Sequence, residues 1–327
     1  MIIACNSTQR VVLQAEFPEL DYRILPGYDL QYGKSRRRTL GRIIIQIPKI
    51  LISINRENRW LRQLLQQQPV DAILSDNRFG LYTKRVPTVF ITHQLAIKTG
   101  LGNWADRIVQ WFNYRAINRF SACWLPDHKD TDALAGELSH PAELPATPVY
   151  YLGPLSRFTS CNRPFIAGHL LFILSGPEPQ RSLFEKKILD AVHTYPGQVT
   201  LVRGCPGNEV PVTTTAQLTI YQHVDAATLN ELACSADIII SRSGYTTVMD
   251  ILKMGKKNIL VPTPGQAEQE YLATYLHQKK LIYAVSQEAF DLSKAIEALA
   301  QFPLQMHSRS MDTYKIIIRE FIDSLSK

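Results

Sequence analysis

Short unbroken apolar runs alternate along this chain with longer segments in which apolar residues recur at helical spacing. The runs are MIIAC (Met1–Cys5), DAILSD (Asp71–Asp76), TVFITHQ (Thr88–Gln94), HLLFILSG (His169–Gly176), QVTLVRG (Gln198–Gly204), ADIIIS (Ala236–Ser241) and NILVP (Asn258–Pro262). A strand with one wet face alternates apolar and polar residues, whereas a strand covered on both faces does not. These runs therefore predict buried parallel strands separated by helices. The expected class is α/β, built from Rossmann-type doubly wound sheets.

The pattern weakens between Ser139 and Pro164, where five prolines interrupt it, and a new strand–helix series starts at His169. This predicts an interdomain linker and two domains with a cleft between them: residues 1–155, then 156–305. Met311, Tyr314, Ile317, Ile318, Phe321, Ile322 and Leu325 line one helical face, so residues 306–327 are expected to form an amphipathic helix that packs back on the body. At the other end, the chain begins within a strand and continues into the helix-compatible NSTQRVVLQAEF. The strand, glycine-rich turn and first helix that normally open a doubly wound domain are expected to be missing.

Composition changes this picture in only a few places. With 327 residues, 45% apolar and 20% charged, the chain is an ordinary globular one. Its net charge of +7 is concentrated in residues 1–155, which carry 19 Lys and Arg against 13 Asp and Glu. The basic excess is densest at GKSRRRTLGR (Gly33–Arg42), before the apolar IIIQIPKILISI (Ile43–Ile54). Two readings stand level: a solvated loop before a buried helix, or contact with an anionic membrane surface. The apolar run is too short and too broken to span a bilayer. Nothing resembles a secretory signal, and the five cysteines are scattered and odd in number. A reducing, cytoplasmic setting with neither disulfides nor zinc is expected, with peripheral attachment to the inner membrane as the alternative. No nucleic-acid partner is expected.

In open α/β sheets, ligands bind beyond the carboxyl ends of the strands, so candidate chemistry is sought there. In the second half, HLLFIL is followed by Ser175, Gly176, Gln180 and Arg181. ADIII is followed by Ser241, Arg242, Ser243 and Gly244, with Thr246 and Asp250 on the next helix, and NILVP by Gln266 and Gln269. Arg157 closes the linker. Helix amino ends with arginines, amides and hydroxyls suit a diphosphate. Asp250, one turn beyond Thr246, suits the hydroxyl pair of a ribose or sugar. From the residues alone the plainer alternative stays open, with Ser243 or Thr246 as helix caps and Asp250 as a solvated carboxylate. In the first half His93 and Asp76, at strand ends, are the candidates for a catalytic base, each with a structural alternative; Asp127 and His128 are weaker.

The stretch SRSGYTTVMDILKMGKKNILVPTPGQAEQEYLA (Ser241–Ala273), with LGPLSR (Leu152–Arg157) and LSGPEPQR (Leu174–Arg181), resembles the donor-binding half of the MurG-like glycosyltransferases, glycosyltransferase family 28. The resemblance implies the GT-B fold. It gives Arg242, Ser243 and Gly244 a donor-binding turn, Asp250 the ribose contact, Gln269 a contact to the donor, and Arg157 the diphosphate. It also implies inverting, metal-independent transfer of a sugar such as N-acetylglucosamine from a UDP-type donor, without a cofactor, to a glycan or lipid-linked acceptor. The alternatives are a UDP-sugar 2-epimerase of the same fold, a non-catalytic nucleotide-sugar-binding protein, and one subunit of a split enzyme.

Overall fold

The computed structural model describes the chain except residues 28–35, 101, 131, 160, 162–163, 206–212, 306–310 and 326–327, and except the side chains of 36–47. It divides into two compact units, the first made mainly of Met1–Gly27 and Ser156–Ser308 and the second mainly of Leu40–Leu155 and Arg309–Lys327.

The chain opens with β1 (Ile2–Cys5), α1 (Ser7–Glu16) and β2 (Asp21–Ile24), and β1 pairs in parallel with β2. Asn6 starts α1 in a capping box: its side chain accepts from the Gln9 amide while Gln9 reaches back to the Asn6 N–H. A long helix, α2 (Arg36–Gln67), follows with Pro48 inside it. The side chains of Arg36–Arg38 and of the first part of the Ile43–Ile54 run lie outside the described residues. Among the described residues no helix is long and apolar enough to cross a membrane.

Next come β3 (Ile73–Asp76), β4 (Thr88–Ile91), α3 (Asn103–Ile117), β5 (Ala122–Leu125) and β6 (Val149–Tyr151), the strands forming a parallel sheet in sequence order. β6 falls within the proline-rich stretch expected to be a linker. Three residues between Pro148 and Leu152 are enough to pair with β5. Alternate residues feed two faces of this sheet: Phe90, Cys123 and Leu125 join Leu95, Ile117 and Phe120 on one side, while Val89 and Trp124 join Leu152 on the other.

The remaining elements are β7 (Leu170–Ile173), α4 (Gln180–Val192), β8 (Val199–Val202), β9 (Thr213–Thr214), β10 (Leu218–Tyr221), α5 (Ala226–Ser235), β11 (Ile238–Ser241), α6 (Tyr245–Met254), β12 (Lys257–Leu260), α7 (Ala267–Gln278), β13 (Tyr283–Ala284), α8 (Leu292–Gln301) and α9 (Tyr314–Leu325). Tyr314, Ile317, Ile318 and Phe321 of α9 cover the Val89–Trp124–Leu152 face, and Thr313 donates to the Leu152 carbonyl. The seven strands β7–β13 form one sheet ordered β13-β12-β11-β7-β8-β10-β9, parallel except for β9. Its continuous apolar strands are buried on both faces, as their sequence predicts.

From β7 the chain winds outward through β8 and β10, then crosses back to lay β11 on the other side of β7. That reversal is the switch point of a doubly wound sheet, where the carboxyl ends of two neighbouring strands diverge and leave a crevice. The turns after β7 and β11 therefore open side by side.

The expectation of unpaired cysteines is overturned by a disulfide between Cys161 and Cys234, whose Cα atoms lie 5.3 Å apart. The 161 segment lies against α5, held by the Thr159 amide donating to Asn230 Oδ1 and by Asn230 Nδ2 donating to Thr159 Oγ1. Scattered spacing is no obstacle when the fold brings segments together. In denaturant without reductant, thiol titration should find three free cysteines, Cys5, Cys123 and Cys205, and Cys234→Ser should cost about 2–4 kcal/mol of stability. Five free thiols before reduction would contradict the pairing.

Candidate functional site

The site is built around the start of α6. β11 ends at Ser241, and Arg242, Ser243 and Gly244 lead directly into the helix. Gly244 is the N-cap and brings no side-chain acceptor, so the helix presents its positive end without a cap. Ser243, which could have capped it, instead donates its hydroxyl to the Gln269 carbonyl at 2.8 Å. Gln269 Oε1 accepts from the Thr263 amide at 3.0 Å. Its Nε2 is left without a hydrogen-bond partner, 4.0 Å from where a β-carbon on Gly244 would lie. A larger residue at 244 would fill that gap. The β7–α4 turn closes the other side, where exposed Gly176 has φ +98°, and a β-carbon there would stand 3.5 Å from Thr263 Oγ1. Thr263 is buried and its hydroxyl has no partner. Exposed Ser175 precedes Gly176, and Gln266, the N-cap residue of α7, follows Thr263 without capping by its side chain.

Arg242 does not reach toward this opening. Its side chain is fully buried, with Nη1 donating to the Val261 and Pro262 carbonyls at 3.2 and 3.3 Å. Nη2 donates to the Gln180 carbonyl at 2.9 Å and to Gln287 Oε1 at 2.7 Å. The guanidinium carbon sits 4.4 Å from the Phe184 ring centre. The direct diphosphate contact expected of Arg242 is therefore corrected: four hydrogen bonds point its donors inward. No carboxylate among the described residues neutralises it, and burial lowers its pKa to about 10, so it stays a cation at neutral pH. Arg181, expected among the donor contacts, is engaged within its own segment. Glu178 and Glu185, three residues before and four after it, take its guanidinium at 2.5–2.9 Å. Gln180 spends its carbonyl on Arg242, and its Oε1 accepts from Gln287 Nε2.

Farther along α6, Asp250 is buried while Thr246, one turn earlier, is exposed. Ser156 Oγ donates to Asp250 Oδ1 at 2.7 Å, and the half-exposed Arg157 stands 3.6 Å from Oδ2. Burial pushes the Asp250 carboxyl above its ordinary pKa, against the Ser156 hydrogen bond and the Arg157 charge. Ser156, Thr263 and Gln287 were missed from sequence. Only Ser156, next to Arg157, had a local signal.

In the other unit, Asp76 ends β3 and His93 lies two residues past β4, its parallel neighbour. Surrounding protein raises the pKa of Asp76, and the His93 charge opposes the rise. Asp127 is structural: its carboxylate accepts from the amides of His128, Leu134 and Ala135 and from the Ser139 hydroxyl. Among the described residues no group of three or more His, Cys, Asp or Glu could hold a metal ion. A hollow of about 480 Å³ beside α7 is lined by residues that include Pro264, Glu270, His277 and Gln287, and by none of the expected donor contacts.

Two outcomes follow from this geometry. Arg242→Ala would leave three carbonyls and an amide oxygen without their donor over an empty space, and should cost about 3–5 kcal/mol in denaturant unfolding. A loss under about 1 kcal/mol would mean the tie is dispensable. Asp250→Asn should behave oppositely. Because the folded carboxyl has a raised pKa, its ionisation destabilises the fold as pH climbs from the ordinary carboxylate range through the folded value, and the deficit is complete above that. The asparagine variant should therefore match or exceed the parent's melting temperature at pH 7, with the advantage gone at low pH. A variant less stable at pH 7 than at pH 4, relative to parent, would contradict this.

Known proteins resemble this chain over its second half in sequence and over its whole length in fold. Residues 196–324 match the glycosyltransferase family 28 C-terminal domain. Over 151 residues the chain is 30% identical to the UDP-N-acetylglucosamine–N-acetylmuramyl-(pentapeptide) pyrophosphoryl-undecaprenol N-acetylglucosamine transferase of Sulfurihydrogenibium sp. (strain YO3AOP1); the match covers 45% of this chain. The chain spans about two fifths (42%) of the length of that curated relative. Among solved structures it is similar to the glycotransferase of kitacinnamycin (TM-score 0.60, 13% identity, 99% of this chain and 86% of that one). It is also similar to SnogD from Streptomyces nogalater (0.58, 13%, 99% and 91%) and to Acinetobacter baumannii MurG (0.50, 14%, 99% and 90%). These likenesses show the GT-B glycosyltransferase fold. The switch-point crevice at the start of α6 thus lies within the stretch, residues 196–324, that matches the glycosyltransferase family 28 C-terminal domain.

Proposed function

We propose that this chain is a hexosyltransferase that takes N-acetylglucosamine from a UDP-type donor and passes it to a lipid-linked acceptor. The observation that carries the reading is the uncapped start of α6, with Gln269 Nε2 free beside Gly244 and the unneutralised Arg242 cation buried behind it. A diphosphate is the ligand that matches a helix amino end, an amide donor and a fixed positive charge at once. Asp250 and Arg157 then face the ribose and the phosphate oxygens, once Ser156 yields or shares its hydrogen bond.

Transfer requires the acceptor hydroxyl oxygen to bond to the sugar's anomeric carbon while the bond from that carbon to the diphosphate oxygen breaks. The hydroxyl proton passes to a base and the electron pair leaves on UDP. The helix dipole, Gln269 and the field of Arg242 stabilise that leaving charge, the task a divalent ion performs elsewhere, so turnover is expected to be metal-independent. Asp76 and His93 are the base and its neighbour in this reading. The acceptor class is supported by the name of the Sulfurihydrogenibium relative, which specifies a pyrophosphoryl-undecaprenol-linked substrate for that protein. A cytoplasmic enzyme working at the membrane surface follows from such an acceptor.

Calorimetric titration with UDP-N-acetylglucosamine should give binding that Asp250→Asn weakens about tenfold. EDTA should leave the binding unchanged. With a lipid-diphosphate acceptor, Asp76→Asn or His93→Ala should lower kcat about 10²-fold or more while leaving donor affinity intact. Absence of binding to any UDP-sugar, or formation of an epimer without acceptor, would overturn the transferase reading.

A further inference from the structure

The open hollow of about 480 Å³ beside α7 holds none of the expected donor contacts, and every residue that lines it belongs to the same compact unit. One side is a face of α7 and the other is the segment that follows β13. Pro262, Pro264, Ala273 and Val285 give it apolar walls. Its volume lies in the range of small-molecule sites, and such sites combine apolar walls with a few polar groups that fix orientation.

Hydrogen-bond accounting identifies the polar groups still available there. Glu270 gives Oε1 to the Gly265 amide at 2.8 Å and keeps Oε2. Lys187 Nζ donates at 2.8 Å to the backbone carbonyls of Gln287 and Glu288, which leaves the exposed Glu288 carboxylate without a cation among the described residues. His277 Nδ1 accepts from the Ala284 amide at 3.1 Å, so the ring proton sits on Nε2 as an available donor. Ser286 Oγ accepts from the Ala289 amide at 3.2 Å and keeps its own proton to donate. Neither lysine nor arginine lines the hollow, although the chain carries a net charge of +7. Two carboxylates without a counter-charge, on either side of apolar walls, match a cation with an apolar body. A bare metal ion fits poorly, since among the described residues no three His, Cys, Asp or Glu side chains gather to hold one.

We propose that this hollow binds a small organic cation, an ammonium group joined to an apolar ring, and that its occupancy is coupled to the crevice at α6. The ammonium group meets Glu270 and Glu288, the ring lies against the prolines, Ala273 and Val285, and a polar oxygen on the ring accepts from His277 or Ser286. Coupling follows from shared residues. Gln287 lines the hollow while accepting from Arg242 Nη2 at 2.7 Å and donating to Gln180 Oε1 at 3.1 Å. The Pro262 carbonyl accepts from Arg242 Nη1, and Glu270 holds the turn between Thr263 and α7 through the Gly265 amide. A ligand that draws on Glu270 or shifts Gln287 therefore acts on the contacts that shape the crevice, and the effect is reciprocal. The cation site stands apart from the transferase reading, whereas the coupling rests on it.

The test is calorimetric titration of the full chain at pH 7 with tyramine and with its neutral isostere 4-(2-hydroxyethyl)phenol. Tyramine is expected to bind at least about tenfold more tightly than the isostere. Glu270→Gln with Glu288→Gln should make the two equal, and Ser286→Trp should block both. Ser286 and Glu288 are exposed, and the change at 270 keeps an oxygen for the Gly265 amide, so melting temperatures without ligand should not move. Saturating tyramine should shift the dissociation constant of UDP-N-acetylglucosamine at least about fivefold. Equal affinity for the two probes, or tyramine binding that Ser286→Trp leaves intact, would overturn the site. An unmoved UDP-sugar affinity would overturn the coupling. Absence of any UDP-sugar binding while tyramine still binds would remove the donor reading and the coupling together and leave the cation site standing.

Discussion

One buried guanidinium holds the candidate site together. Arg242 leaves the end of β11 and, instead of pointing outward, ties three other segments: the Gln180 carbonyl at the start of α4, the Val261 and Pro262 carbonyls after β12, and Gln287 beyond β13. Phe184 of α4 closes one face of the cation. The Val261 and Pro262 carbonyls belong to the connection after β12, and the Gln180 carbonyl to the first turn of α4. A single planar side chain with several fixed donors satisfies them together, which lysine could not do. Burial lowers its pKa, and the hydrogen bonds hold the ion in place.

This arrangement separates two tasks that a glance at the sequence merges into one. The shape of the crevice depends on Arg242 contacts, while in the proposed donor reading contact with a ligand falls to groups that remain available: Gln269 Nε2, the start of α6, exposed Ser175 and Gly176, and half-exposed Arg157. The buried charge still acts through space. Surrounded by protein atoms rather than water, it is screened less than a surface cation would be. Arg181 contributes no comparable field, since two carboxylates of its own segment neutralise it.

Much of the fold was legible because strands buried on both faces write themselves as continuous apolar runs. The seven runs each contain a strand, β1, β3, β4, β7, β8, β11 and β12. Six strands lie outside those runs: β2, β5, β6, β9, β10 and β13, among them β6, three residues among prolines, and β10, a four-residue strand in QLTIYQ with no long apolar run. The strand ends read from sequence are strand ends in the fold, and Asp76 and His93 stand at or just past the ends of the adjacent strands β3 and β4. Side-chain direction was not legible there. The residue after a strand can turn either way, and which way Arg242 turns depends on carbonyls 19 and more residues distant. The partners of Arg181 were readable, since Glu178 and Glu185 stand at helical spacing on either side. The Cys161–Cys234 pair, 73 residues apart, was not.

A crystal structure of the chain with UDP bound tests the central claim most directly. The account predicts the diphosphate at the amino end of α6, accepting from Gln269 Nε2 and first-turn amides, with the Arg242 guanidinium still on the carbonyls of Gln180, Val261 and Pro262. A diphosphate bound elsewhere, or an Arg242 side chain swung out to grip it, would contradict the division between the residue that shapes the crevice and the residues that fill it.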